Sequence, residues 1–353
     1  MHINLWNMIK DVLEQSKVDL FKSWCEEVNN IVIVTHVSPD GDAIGASLGL
    51  AQFLTQQGKS VQIIVPNSFP DFLRWLEGAN QILLYDKNKE KADSYIEKAE
   101  LICCLDFNVL KRIDEMEESV GKASARKVML DHHMHPGDFC DLTLSYPELT
   151  STSEGVFRLI YRLNGSDGIT KSGAEAIYTG MMTDTGGFTY NSNVPDLYFI
   201  IIQLLTKGIN KDQIYRNVYN TYSEDRLRME GFVLYEKMQV FPEFNASLIT
   251  LTNKELEKFK YIKGDTEGFV NLPLSINGVC FSTFLREDTQ KKMIKVSLRS
   301  VGSFPCNEVA KEFFNGGGHP NASGGEVYGT MDDAIELYKR ALIKFQNLLV
   351  NKK

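Results

Sequence analysis

The six cysteines of this 353-residue chain form no Cys-x-x-Cys pair, and the adjacent Cys103 and Cys104 sit inside an apolar run. That absence argues against a disulfide framework or a thiolate metal site and for small core residues in a reducing compartment. No apolar stretch approaches the roughly 18 residues that suggest a membrane span. MHINLWNMIKDVLEQSK at the start lacks a basic region, an apolar stretch and a small-residue cleavage site. A cytoplasmic protein without membrane association is expected. Positive charge is scarce: 38 Lys and Arg against 46 Asp and Glu leave a net −8. Such a balance disfavours a surface built to grip long duplex nucleic acid by phosphate neutralisation. No internal repeat or low-complexity segment appears.

What is present suggests two domains, because the length exceeds what one hydrophobic core usually serves. IVIVT (31–35), VQIIV (61–65), LICCLD (101–106) and KVMLD (127–131) are apolar without alternation, the pattern of strands buried on both faces. Helical spacing runs through IGASLGLAQFLTQQGK (44–59) and STSEGVFRLIYRLNG (151–165). It continues in AEAIYTGMMTDTGGFTY (174–190), where glycines 186 and 187 break it. Strand, helix, strand at this spacing predicts an α/β domain over 1–210, a parallel sheet with helices on both faces. Residues 211–240 are charged and helical in pattern, which suits a linker. Beyond them SLITLT, GVCFSTFLRE and KKMIKVSLRS alternate and predict a smaller α/β domain with a mixed sheet over 241–353, interrupted by the glycine-rich turn FFNGGGHPNASGG.

Three of the four predicted strands of the first domain end in acid or imidazole, and ligands of α/β sheets bind beyond those ends. The first strand delivers His36, Asp40 and Asp42, the third Asp106, the fourth Asp131, His132 and His133, and the break after GMMT delivers Asp184. One strand-end Asp alone is ordinarily a helix or turn cap. Several at one sheet edge repel one another unless cations neutralise them. Asp40, Asp42, Asp106, Asp131 and Asp184 with two or three imidazoles exceed the needs of one ion, so two metals sharing a carboxylate are expected. Mixed oxygen and nitrogen donors without thiolate suit Mn²⁺, with Mg²⁺ or Co²⁺ as substitutes. Two such ions activate water for phosphoester hydrolysis.

In the second domain Ser297 and Arg299 lie two apart on a predicted strand and share a face, from which Arg299 can fork onto a phosphate. Gly317 and Gly318, within the triple glycine, allow backbone amides to converge on an anion, and His319 follows directly.

HVSPDGDAIGAS (36–47), LDFN (105–108), DHH (131–133) and TDTGGF (183–188) resemble the four motifs of the DHH phosphoesterases. SLRS (297–300) and NGGGHPNASGG (315–325) resemble their associated DHHA1 domain. The resemblance covers nearly the whole chain, and two-domain length is most similar to the nanoRNase and phosphoadenosine phosphate (pAp) phosphatase subfamily. It implies one metal held by His36, Asp40 and Asp106 and another by Asp42, Asp106, His132 and Asp184, with Asp106 bridging. It further implies that Asp131 orients His132 through the other ring nitrogen and that His133 faces the phosphate. The implied activity is hydrolysis of short oligoribonucleotides to 5′-mononucleotides and conversion of pAp to AMP. Alternatives are a dinucleotide (pApA or cyclic di-AMP) phosphodiesterase, an exopolyphosphatase, and a regulatory nucleotide-binding module. The expected partners are short oligonucleotides and nucleotide phosphates; a homodimer is compatible with the sequence, and no feature in it establishes one. Gly187 stands where relatives often carry serine, and no ligand position departs from the pattern.

Overall fold

The computed structural model describes residues 12–288 and 291–350. The first eleven residues, which include His2 and most of the stretch read for a leader, lie outside it. The chain divides after Thr221 into two compact units. In the first, α1 (Gln15–Glu27) leads into β1 (Asn30–Thr35), α2 (Gly41–Gln56), β2 (Ser60–Val65) and β3 (Leu83–Leu84). Then come α3 (Lys89–Lys98), β4 (Leu101–Leu105), α4 (Glu117–Lys122), β5 (Arg126–Asp131) and β6 (Leu142–Ser145). Four helices complete the unit: α5 (Thr152–Asn164), α6 (Lys171–Asp184), α7 (Pro195–Thr206) and α8 (Lys211–Tyr219).

All six strands are parallel, in the order β3-β2-β1-β4-β5-β6. The unbroken apolar runs follow from burial on both faces. Ile31 and Ile33 of β1 pack into one cluster with α1, α2, α5 and α6, while Val32 and Val34 pack into another with α3 and α4. Cys103 and Cys104 of β4 divide between the same two clusters; both are buried, and all six cysteines are free thiols. The edge strands β3 and β6 are short and partly exposed, so neither stands out in the sequence as the central four do.

Helix α2 begins three residues before its apolar periodicity, because Asp40 caps it: the Asp40 carboxylate accepts from the backbone of Asp42 and Ala43. Its glycines 41, 45 and 49, spaced four apart, permit close approach to α6. A Cβ on Gly41 would lie 2.2 Å from the Thr183 hydroxyl, on Gly45 2.5 Å from the Ala176 carbonyl, and on Gly49 2.6 Å from Ile177. The helices therefore run antiparallel, and the first turn of α2 meets the last turn of α6.

The second unit contains α9 (Glu224–Phe232), β7 (Gln239–Phe241), β8 (Ala246–Leu251), α10 (Asn253–Lys258), β9 (Phe281–Glu287) and β10 (Ile294–Ser300). It continues with α11 (Cys306–Phe313), β11 (Gly317–His319), β12 (Ala322–Val327), α12 (Met331–Lys344) and α13 (Gln346–Val350). The sheet order is β11-β12-β10-β9-β8-β7, mixed because β8 and β9 are parallel and the other pairs antiparallel. The charged segment 211–240 is shared between the units: Ile214 and Val218 bury α8 in the first core, and Met229 buries α9 in the second. The glycine-rich stretch forms a hairpin of β11 and β12 rather than an open turn. No helix among the described residues is long and apolar enough to cross a membrane.

Candidate metal centre

Strand order reverses between β1 and β4, since the chain leaves β1 toward β2 on one side and β4 toward β5 on the other. The loops leaving these two strands diverge, and such a switch point forms the crevice where open α/β sheets take ligands. His36 follows β1 and Asp106 follows β4; both are buried, with His36 Nε2 lying 3.3 Å from Asp106 Oδ2. Asp40 Oδ1 lies 3.9 Å from the same ring nitrogen. Backbone strain marks both loops, because Ser38 and Asp106 adopt φ of +55° and +63°. Non-glycine residues hold that region at a cost of about 1–3 kcal/mol, sustained where the surroundings over-determine it. The Ser38 N–H donates to Asn67 Oδ1 at 2.8 Å, and Asp106 N–H donates to Leu130 O at 3.2 Å.

A second cluster adjoins the first. His132 Nε2 lies 3.6 Å from Asp106 Oδ1, 3.6 Å from Asp184 Oδ2 and 4.0 Å from Asp42 Oδ2. The close crossing of α2 and α6 is what brings Asp42 and Asp184 to one place. Neighbouring donors around a cation with bonds of about 2.0–2.2 Å stand roughly 3.0–3.5 Å apart, so both clusters have dimensions that can hold an ion. The sets His36, Asp40, Asp106 and Asp42, His132, Asp184 each converge within 4.8 Å. Asp106 faces both, one oxygen toward each.

The imidazoles are prepared for the same task. His36 Nδ1 donates to Val37 O at 3.0 Å and His132 Nδ1 to Leu149 O at 3.3 Å. A carbonyl only accepts, so Nδ1 carries a proton in both rings, and Nε2, which faces the carboxylates, is the atom available to a cation once it is deprotonated. The expectation that Asp131 orients His132 needs correcting. Asp131 instead accepts from His133 Nδ1 at 2.7 Å and from the His133 backbone at 3.0 Å. At the end of β5 the Asp131 carboxylate closes a local turn onto the backbone of His133 two residues on, and so faces His133.

Crowding perturbs the titrating groups. Burial, then Asp106 and Asp184, pushes the Asp42 carboxyl well above its usual range. Asp184 is raised to about 6, chiefly by loss of solvent and secondarily by Asp40 and Asp106, although 29% of its side chain remains exposed. Burial opposes charge on His132 too, but Asp184, Asp106 and Asp42 overcome it and raise its pKa to about 9. Burial likewise raises Asp106, yet His36, His133 and His132 outweigh it and hold this carboxyl below its ordinary range. These carboxylates compete for too little positive charge.

In the second unit, β-register sets the expected anion-binding residues in two rows across one face of the sheet. Ser297, Gly324 and Gly317 stand opposite one another in the first row, and Arg299, Ala322 and His319 in the second. Glycine is obligatory at 318, where φ is +136° and a side chain would strike the Ala322 carbonyl at 2.6 Å. At Gly317 a Cβ would meet nothing within 4 Å, and the two glycines of this row present bare backbone beside Ser297. Arg299 Nη1 donates to Leu298 O at 2.9 Å, and the His319 carbonyl accepts from Ser323 Oγ at 2.7 Å.

Sequence reading missed three contributors. Asn108 Nδ2 donates to Met134 O at 2.7 Å and ties the loop after Asp106 to the loop after His133. Thr152 and Ser153, in the first turn of α5, reach Asp106 and Asp42. The run of hydroxyl residues at 150–153 was their only signal.

A parallel-sheet domain with overlapping His/Asp clusters at its switch point, followed by a mixed-sheet domain, defines a two-domain hydrolase of the phosphoesterase class. The chain belongs to the DHH family: the DHH N-terminal domain matches residues 30–181 and the DHHA1 domain residues 245–345. It is 30% identical over 315 residues to the bifunctional oligoribonuclease and PAP phosphatase NrnA of Thermus thermophilus, covering 88% of each chain. To NrnA of Bacillus subtilis it is 25% identical over 304 residues, 85% of this chain and 90% of that one. The crystal structure of an exopolyphosphatase-related protein from Bacteroides fragilis superposes with a TM-score of 0.92 at 61% identity, covering 97% of this chain and 99% of that one.

Proposed function

We propose that the protein hydrolyses short oligoribonucleotides to 5′-mononucleotides and removes the 3′-phosphate of pAp, using two divalent cations, Mn²⁺ foremost. The observation that carries this reading is the division of the Asp106 carboxylate between two clusters, with Oδ2 toward His36 and Oδ1 toward His132. His36, Asp40 and Asp106 would hold one cation, and Asp42, Asp106, His132 and Asp184 the other. Bound there, the cations supply an acidified water and neutralise charge on the phosphoryl oxygens. His133, its Nδ1 tied to Asp131, keeps Nε2 for the phosphoryl group or the leaving oxygen. Arg299, His319 and the amides of Gly317 and Gly318 serve to grip a phosphate of the substrate. The net charge of −8 disfavours long polyanions outside the site and so favours short ones. The NrnA relatives carry the names of these two activities.

The test is product release with Mn²⁺ and with EDTA from pAp, a linear diadenylate, a five-nucleotide RNA, a 24-nucleotide RNA and polyphosphate in parallel. Metal-dependent turnover concentrated on pAp and the short RNAs is expected. Asp106→Asn retaining most activity with undisturbed metal content would overturn the mechanism. Polyphosphate is the second reading, favoured by the name of the 61% identical Bacteroides fragilis protein; release from polyphosphate alone would select it.

A further inference from the structure

We infer that Thr152 is a positioning residue for the shared carboxylate, holding Asp106 so that its two oxygens stay divided between the two clusters. The inference rests on the two-cation reading above. Helix α5 opens with Thr150-Ser151-Thr152-Ser153-Glu154, and its capping is already complete without Thr152: the Ser151 hydroxyl accepts from Glu154 N–H at 3.0 Å. The Thr152 hydroxyl is turned to another purpose. It donates to Asp106 Oδ1 at 2.9 Å, a partner 46 residues distant.

The neighbouring backbone acts in concert. Thr152 N–H donates to Asp42 Oδ2 at 2.6 Å and Ser153 N–H to Asp42 Oδ1 at 2.8 Å, so the carboxylate of Asp42 is forked onto the first turn of α5. The turn itself is locked. Glu154 Oε2 accepts from the Thr150 backbone and hydroxyl at 2.8 Å each, and Glu154 Oε1 accepts from Arg158 Nε at 2.8 Å. Thr152, Ser153 and Glu154 are all buried. A Cβ on Gly180 of α6 would lie 1.9 Å from Ser153 Oγ, so α6 presses directly on this turn.

One rigid turn thus fixes a carboxylate that belongs to one cluster and a carboxylate that both share. An aspartate retains freedom about its last torsion, and since its two oxygens are equivalent, what has to be fixed is the plane of the carboxylate. The hydroxyl of Thr152 fixes that plane by holding the oxygen that lies 3.6 Å from His132, which leaves the other at 3.3 Å from His36. Groups that orient ligands in this way affect metal affinity by about 10–100-fold.

The experiment is calorimetric titration of the full chain with Mn²⁺, after chelation, for wild type, Thr152→Val and Thr152→Ser. Valine keeps the shape and the backbone N–H and removes only the hydroxyl; serine keeps the hydroxyl. Two ions bound by wild type, one of them weakened by about 10–100-fold in Thr152→Val and restored in Thr152→Ser, is the expected result. Equal affinities in wild type and Thr152→Val would overturn the inference, as would equal losses in the valine and serine variants, which indicate packing. Binding of fewer than two ions by wild type would instead overturn the two-cation reading beneath it. Thermal melting of each metal-free variant checks the fold, and Thr152→Ala replaces valine in the comparison if the valine variant does not fold.

Discussion

Asp131 and His133 form a carboxylate–imidazole pair, Oδ1 to Nδ1 at 2.7 Å, with Asp131 fully buried and His133 partly exposed. In the function proposed above, the pair would handle protons while the adjacent His132 holds metal, two tasks divided within a single tripeptide.

His133→Asn and Asp131→Asn are therefore expected to lower kcat on pAp by about 10²–10⁴-fold, the range for a lost acid–base group, while metal content stays at the wild-type level. His132→Asn is expected to lose metal. Elemental analysis alongside kinetics distinguishes them, and metal loss in His133→Asn would contradict the assignment.

Metal uptake should depend on pH with a definite sign. His132, with a pKa of about 9, carries a proton at neutral pH that a cation must displace, and Asp184 titrates near 6. Apparent affinity for Mn²⁺ is expected to strengthen as pH rises from about 6 to about 9, with protons released on binding. Titration in two buffers of different ionisation enthalpy measures that release; a pH-independent affinity would refute the electrostatic picture.

Two glycine substitutions should move stability in opposite directions. Gly45→Ala forces a methyl to 2.5 Å from the Ala176 carbonyl and is expected to destabilise by about 1–3 kcal/mol. Gly231→Ala, in α9 with nothing within 4 Å of the new carbon, is expected to stabilise by roughly 0.4–1 kcal/mol. Thermal or urea melting reads both.

Arg299→Lys removes the planar fork and keeps the charge. A raised KM for pAp with kcat and metal content near wild type is expected from steady-state kinetics. An unchanged KM would remove Arg299 from substrate binding.

Much of this was legible in the residues themselves. Strands β1, β2, β4 and β5 announce themselves through apolar runs, and the strand ends carry ligand-type side chains that no core requires. Edge strands β3 and β6 escape because two to four partly exposed residues give no period to read. The β11–β12 hairpin escapes because glycine suggests a turn more strongly than a strand. Within the site, residue types were visible but partner choice was not. Whether Asp131 turns to His132 or His133, and whether Thr152 caps a helix or holds Asp106, depends on side-chain directions that spacing does not encode.

Gly324 and Gly317, in one row with Ser297, offer main chain where most sheet faces offer side chains. A peptide backbone has the same outline whatever the sequence, so such a strip responds to shape and charge and is indifferent to base identity. For the short oligoribonucleotides proposed as substrates, that indifference is an asset: one unlettered surface serves every fragment.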